Sequence, residues 1–445
     1  MTSKRLLLVA LHYGPRCATG GFRWNAMVRH LEDLGWDFDI ITLERFWNSG
    51  PEIQPYPPGT RARVFPVPMP TWTGKGIRAA SKTKRLLLGQ SGSDGQKPSR
   101  TSAATPEALF PYPEPSGPTY RRITAILTGM QWTYPEIVWA RRATRVARRL
   151  CRRERYHATI VSSPPHVSHL VGLAAQREFG IPFLADFRDL WKAGTGRYDR
   201  LDPISRWMAG RHEARVYREA HTVIFNTTLA NQTMLDLNLV GGNAVAIANG
   251  FDTNGGPRKP DGEAFRIVLT GQFYPFSDLE AFFLACRSVR DRIDHVPIRV
   301  DFVGTPATHR GVPLADLARF HGLGDVFALH ERVSREDAAR LQQAAALLVA
   351  YDQANRPAIP VKFYDYAQTF GTMLLLGEPG SDLSIAASRL GVTLRAADDR
   401  MGIDGVFDAA LQRWRCGRYD RITDPTGIFD RVHQSRKLHE LLTAL

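Results

Sequence analysis

The chain has 445 residues, more than one hydrophobic core organises, so two domains are expected. Hydrophobic residues make up 43% and charged residues 23%, a globular balance that excludes a disordered or fibrous chain. The formal net charge of +14 suits anionic partners such as nucleotide phosphates, an anionic membrane or nucleic acid, although arginine-rich coding bias explains it equally well.

Cys17, Cys151, Cys286 and Cys416 are scattered and form no C-x-x-C, so neither a zinc site nor a disulfide framework is expected, and a reducing cytoplasm is the natural compartment. The apolar run Leu6 to Leu11 is too short for a signal-peptide core or a membrane span and reads as a buried first strand.

In chain order, residues 5–10 (RLLLVA) predict a strand and 21–34 a helix with Phe22, Met27, Leu31 and Leu34 on one side, stopped by Gly35. Residues 37–43 and 61–67 predict further strands. Residues 90–118 are rich in Ser, Gly, Pro and Thr, and their composition predicts a loosely packed insertion. Residues 136–155 predict a strongly basic helix, followed by a strand at 158–163, a helix at 166–179, a strand at 182–187 and a helix at 203–219. Strands follow at 222–226 and 244–249, and 249–263 has the turn chemistry of a linker. A second series has strands at 266–271, 298–304, 326–332, 346–351, 373–377 and 392–396, and ends in a helix at 427–443. Strand–helix alternation with short loops means parallel sheets covered by helices on both faces. The expected fold is α/β, with two Rossmann-like doubly wound domains facing a cleft. An N-terminal domain over 1–252 and a C-terminal domain over 253–425 are expected, with 426–445 crossing back to the first. Ligands bind such sheets at the carboxyl ends of the strands, near the switch point in strand order.

Three segments carry candidate chemistry. The loop HYGPRCATGGFR (12–23) joins the first strand to the first helix, and Gly20 and Gly21 let a ligand approach the backbone there. It is not G-x-G-x-x-G, which disfavours a dinucleotide cofactor. In VSSPPHVSHLVGLAAQREFGIPFLADFRDLW (161–191), the serines and prolines suit a helix start, while Asp186, Arg188 and Asp189 fall at the carboxyl end of a strand. One cation between two carboxylates serves either a structural network or the binding of sugar hydroxyls. His166 and His169 stand at i, i+3 without an evident third ligand, so no metal is expected, and His166 is a candidate on the acceptor side. In IPVKFYDY (359–366), Lys362 and Asp365 share a helix face. The lysine suits a diphosphate and the aspartate suits ribose or sugar hydroxyls; an exposed ion pair is the plain alternative.

NGFD after AVAIA, RIVLTGQFY, FVG at 302–304 and IPVKFYDYA resemble, in order, landmarks of bacterial GT-B glycosyltransferases of the family-4 type, and SSPP…ADFRDLW resembles a subgroup of that family. The resemblance spans almost the whole chain except about 70–135. It implies transfer from a nucleoside diphosphate sugar to a glycan, lipid-linked or small-molecule acceptor, with retention and without a metal or other cofactor. By this resemblance Gly271, Gln272, Phe273 and Tyr274 line the donor phosphates, the turn at Arg332–Val333 receives the base, and Pro360, Lys362 and Asp365 fall in the family's acidic signature. Gly20, Gly21, His166 and Arg188 lie on the acceptor side, with Asp186 or Asp189 as its acidic group. Two departures stand out. Pro357 occupies the position where the family often has its first glutamate, and QFYPFSDLE after Gly271 lacks the usual basic residues, which leaves phosphate stabilisation to Lys362 and Arg356.

The helix WARRATRVARRLCRRER (139–155) holds eight arginines and one glutamate over an apolar stripe. It reads as a helix packed on the sheet with a solvated basic face, or as a dock for an anionic membrane on the cytoplasmic side. A sugar-nucleotide epimerase and a degenerate donor-binding scaffold are the competing functions. Nucleic acid is not expected as a partner, since no recognised module appears.

Overall fold

A computed structural model describes residues 4–15, 21–44, 58–69, 118–191, 203–237, 239–240, 243–252, 260, 262–271, 273, 277–292, 297–352, 357–419, 422, 424 and 426–445, with side chains in the helix that opens at 118 described from 135 on. The insertion expected at 90–118 lies outside these residues except for Pro118. Contacts divide the chain into two compact units: Met1–Asn226 with Asn231–Ala246 and Ser435–Leu445, and Thr227–Ala230 with Ile247–Gln434.

The first unit runs β1 (Arg5–Ala10), α1 (Phe22–Asp33), β2 (Asp37–Leu43), β3 (Arg63–Val67), α2 (Pro118–Cys151), β4 (Ala158–Ser163), α3 (His169–Phe179), β5 (Phe183–Phe187), α4 (Pro203–Glu219), β6 (Thr222–Phe225), α5 (Thr228–Asp236) and β7 (Ala244–Ala246). Its seven strands are all parallel, in the order β3-β2-β1-β4-β5-β6-β7. Leu6, Leu7, Leu8 and Val9 of the central β1 are fully buried, which is why this strand is apolar without alternation. Gly172 lets α3 lie directly on the sheet: a Cβ there would sit 2.1 Å from the Phe183 ring. One element is longer than its sequence predicts. The basic helix is expected over 136–155, yet α2 begins at Pro118 and runs through Pro135.

The second unit contains β8 (Phe265–Thr270), α6 (Glu280–Arg292), β9 (Ile298–Val303), a small antiparallel pair β10 (Thr308–His309) and β11 (Val312–Pro313), α7 (Leu314–Phe320), β12 (Phe327–His330), α8 (Arg335–Gln343), β13 (Leu347–Tyr351), α9 (Val361–Tyr366), β14 (Thr372–Leu376), α10 (Asp382–Arg389), β15 (Leu394–Arg395), α11 (Arg400–Arg415) and α12 (Arg431–Thr443). Its parallel sheet runs β12-β9-β8-β13-β14-β15. One face packs Ile267, Leu269, Val300 and Phe302 against Phe282, Phe283 and Phe407. The other packs Val268, Val303, Leu348 and Leu375 against Phe363, Tyr364 and Leu383. The β10–β11 pair, unforeseen in the sequence, turns on Arg310 (φ 50°) and Gly311 (φ 83°), the two positive φ values that a tight two-residue hairpin requires.

Each sheet, counted within its own unit, has strand order 3-2-1-4-5-6, with a seventh strand added in the first. These are two Rossmann-like domains. The NGFD segment pairs with the chain leading into α12: Phe251 N–H donates to the Phe429 carbonyl at 2.8 Å, and Arg431 reaches Asp252 at 2.6 Å. Gly250 permits this approach, since a Cβ would lie 2.5 Å from the Phe429 oxygen. The later turns of α12 belong to the first unit, where the Trp36 indole N–H donates to His439 Nδ1 at 2.9 Å and His157 Nε2 lies 2.6 Å from the Leu442 carbonyl.

Candidate active site

In each sheet the strand order reverses at one place, between β1 and β4 and between β8 and β13. The crevice beyond the carboxyl ends of those strands is where doubly wound folds bind ligands.

In the second unit, the ends of β8, β9 and β12 are stitched in sequence. Gly271 N–H donates to the Val303 carbonyl at 2.8 Å, and Gly304 N–H donates to the His330 carbonyl at 3.0 Å. Gly271 has φ 70°, a left-handed value, and none of the described residues beyond its chain neighbours comes within 4 Å of where its Cβ would be, which suits close approach of a ligand to its backbone. Phe273 turns inward and is buried against Phe302 and His309. Val333 packs on the same apolar cluster as Phe363 and Tyr364.

The helix α9 is held against this end of the sheet by one buried hydroxyl. Tyr366 Oη accepts the Thr270 N–H at 3.0 Å and donates to the Val349 carbonyl at 3.1 Å, so it ties the end of β8 to β13. Gln342 adds a hydrogen bond to Thr270 Oγ1 at 3.0 Å. Burial pushes the Tyr366 phenol up to about 12 and keeps it protonated for this role. Sequence reading passed over Tyr366 and Gln342. An aromatic hydroxyl inside an otherwise apolar helix face was the available signal, because a buried Tyr O–H needs a partner.

Pro360 caps α9 and is buried, and Lys362 and Asp365 follow on partly buried positions. Burial pushes the Lys362 ammonium down to about 8. Burial also raises the Asp365 carboxyl, against which Arg335 and Arg431 act to lower it. Arg335, the first residue of α8, lies 4.0 Å from Asp365. The structure thus brings Gly271, Val333, Pro360, Lys362 and Asp365 to the carboxyl end of one sheet. Gln272, Tyr274 and Arg356 lie outside the described residues, and Pro357 is partly buried just before α9.

In the first unit, Asp186 pairs with a cation that lies far from it in the sequence. Asp186 is fully buried and meets Arg23 of α1, whose Nη2 lies 3.2 Å from Oδ1. Its other oxygen accepts the Trp24 indole N–H at 2.8 Å and the Ser162 hydroxyl at 2.7 Å. With both oxygens occupied inside the core, Asp186 fastens α1 and β4 to β5. Arg188 instead donates from Nε to the Ser163 carbonyl at 3.0 Å. His166 Nε2 lies 2.8 Å from the Asp189 carbonyl, and the ring stacks on Trp191 at 4.9 Å between centroids. The Ser163–Pro164 and Pro164–Pro165 peptides are both cis. His166, Arg188 and Asp189 are partly exposed at this end of the sheet. His169 is fully buried against Phe187 at 4.4 Å, and burial holds its imidazole well below the usual range, hence neutral. Gly21 stands at the start of α1, and the Asn25 side chain accepts the Gly14 N–H at 3.3 Å. Gly20 lies outside the described residues.

Residues 100–250 match the model of the glycosyl transferase 4-like domain. The match covers about a third of the chain. A search of curated proteins finds no match. Among solved structures, the chain is similar to the sucrose-phosphate synthase of Thermosynechococcus elongatus, with TM-score 0.59 and 14% identity over 99% of this chain and 98% of that one. It is similar to Anabaena HepE in complex with UDP and glucose, with TM-score 0.57 and 10% identity over 99% of this chain and 100% of that one. A glycosyltransferase of Rickettsia africae aligns with TM-score 0.54 and 10% identity over 100% of this chain and 99% of that one. At these identities the likeness is one of fold. Among the described residues no helix is long and apolar enough to cross a membrane.

Proposed function

We propose that the chain is a glycosyltransferase that takes its sugar from a nucleoside diphosphate donor held at the carboxyl end of the second unit's sheet. The observation that carries the reading is the placement of Lys362 and Asp365 on α9, fixed by Tyr366 to the end of β8 where Gly271 suits close approach of a ligand. In this reading the Gly271 loop receives the diphosphate, and Lys362 neutralises the charge that grows on the leaving diphosphate as the glycosidic bond breaks. Asp365, steadied by Arg335, accepts hydrogen bonds from ribose or sugar hydroxyls, and the turn at Arg332–Val333 takes the base. His166, Arg188 and Asp189 present the acceptor side of the first unit, and Asp186 is a positioning residue behind them. Transfer with retention, without a metal, follows from the family resemblance and belongs to the same proposal. HepE supports the donor class, since its complexes hold UDP, glucose and UDP-glucose.

Thermal-shift screening against nucleoside diphosphates and their sugars tests this. A true donor at ~100 times its Kd stabilises the protein by about 2.7 kcal/mol. Lys362→Ala is expected to remove most of that shift. The absence of any shift across the panel contradicts the donor site.

A further inference from the structure

We infer that the outer face of α2 and α4 docks the protein on an anionic lipid bilayer; this rests on the proposed transfer reaction and assigns its acceptor to the membrane-held class. Three helices of the first unit pack side by side, α2 against α3 and both against α4. Ion pairs at their ends set them level: Arg148 Nε donates to Glu178 at 2.8 Å, and Arg177 Nε donates to Glu219 at 2.8 Å. α2 buries Trp139, Ala140, Ala143 and Ala147. On its opposite side Arg141, Arg145 and Arg149 are exposed one turn apart, and exposed Arg152 and Arg153 follow just beyond the helix. α4 buries Ala209, Glu213, Val216 and Tyr217. On its opposite side Ile204 is 71% exposed, Trp207 62% and Met208 40%, and Arg211 stacks over the Trp207 ring at 5.1 Å.

Both outward faces therefore point the same way, away from the sheet. One contributes a row of arginines and the other an aromatic and two aliphatic side chains. Water solvates the arginines at no cost, but it does not explain three large apolar side chains at i, i+3 and i+4 in the first turns of α4. That pairing suits the lipid interface, where guanidinium groups meet anionic headgroups and a tryptophan with aliphatic neighbours enters the acyl boundary. An acidic protein or a polyanion would use the charges and leave Ile204, Trp207 and Met208 without a partner.

The position of the apolar turn gives the contact a purpose. α4 ends at Glu219, three residues before β6 begins, so its last turn lies at the amino end of the sheet. Its 17 residues span ~25 Å, which carries Ile204, Trp207 and Met208 to the carboxyl end, the end that bears His166, Arg188 and Asp189. A bilayer seated there brings a lipid-borne acceptor headgroup to the acceptor side.

Co-sedimentation of the full chain with phosphatidylcholine vesicles, with and without about one third phosphatidylglycerol, tests the inference. Binding to the anionic vesicles only is expected, weakening as salt rises to about 0.5 M, where charges are screened. Each exposed arginine near the surface corresponds to roughly a fivefold factor, so R141E/R145E/R149E is expected to weaken binding by more than tenfold. W207A, a change at an exposed position, is expected to weaken it independently of salt. Equal binding to neutral vesicles, no vesicle binding, or vesicle binding unchanged in both variants overturns the inference, as does binding to a soluble polyanion without binding to vesicles. The thermal shift with nucleoside diphosphates reports separately. Variants that keep the shift are folded; a wild type that shifts yet ignores vesicles overturns the docking and leaves the donor site standing, while vesicle binding without any shift does the reverse.

Discussion

Burial pushes the Lys362 ammonium down to about 8, whereas a bound diphosphate favours the charged form. Two opposite pH dependences follow. The unfolded chain holds this proton up to about 10.5 and the folded chain only to about 8. Burial of Lys362 therefore opposes folding below pH 8, and that opposition is relieved as pH rises between the two values. Diphosphate affinity is expected to run the other way, falling by up to about tenfold per pH unit above 8 as the lysine loses its charge. Titrations at neutral and alkaline pH measure this, and Lys362→Met is expected to flatten the profile. The same substitution is expected to lower kcat/KM by roughly two to three orders of magnitude in a transfer assay, the usual effect of removing one group that stabilises a developing anion. Asp186 has a different kind of importance. Asp186→Ala would leave the Arg23 guanidinium buried without its carboxylate, at a cost of about 3–5 kcal/mol, and a thermal melt of the variant reads that loss. That Lys362 and Asp365 share one helix was legible because both lie on one short segment after an apolar strand. The Arg23–Asp186 pair was not, because its members are 163 residues apart and nothing local marks arginine 23 over arginine 188 as the partner.

The elements show the same division between local and distant information. The strands at 5–10, 37–43 and 158–163 fall where the apolar runs place them, since a parallel sheet buried on both faces demands such runs. α2 is the counterexample: the helix expected over 136–155 begins at Pro118 and continues through Pro135. The α9 helix has only six residues, too few to be stable alone, so its place depends on tertiary bonds from Tyr366. Tyr366→Phe is expected to leave the buried Thr270 N–H unsatisfied, cost about 1–3 kcal/mol, and weaken diphosphate binding together with stability. Glycine 250 governs another contact between distant elements. Gly250→Ala is expected to force its Cβ against the Phe429 carbonyl and destabilise the pairing that leads into α12 by about 1–3 kcal/mol, seen as a lowered melting temperature.

For the whole molecule, the alternation of strands and helices was enough to establish two doubly wound domains, and the structure gives both the same internal strand order. Solved glycosyltransferases share this architecture at 9–14% identity, so the fold persists although few side chains are common to them. Sequence identity at that level says little about which sugar or acceptor is handled, since those depend on a few residues in the loops beyond the strands. The donor site in the second unit is the claim on which the rest depends. Photoaffinity labelling with a nucleoside diphosphate sugar probe, followed by peptide mapping, locates that site without assuming an acceptor. Labelled peptides are expected around Gly271, Arg332–Val333 and Pro360–Asp365, with labelling suppressed by free nucleoside diphosphate. Labelling confined to the first unit, or unaffected by the free nucleotide, would contradict the account.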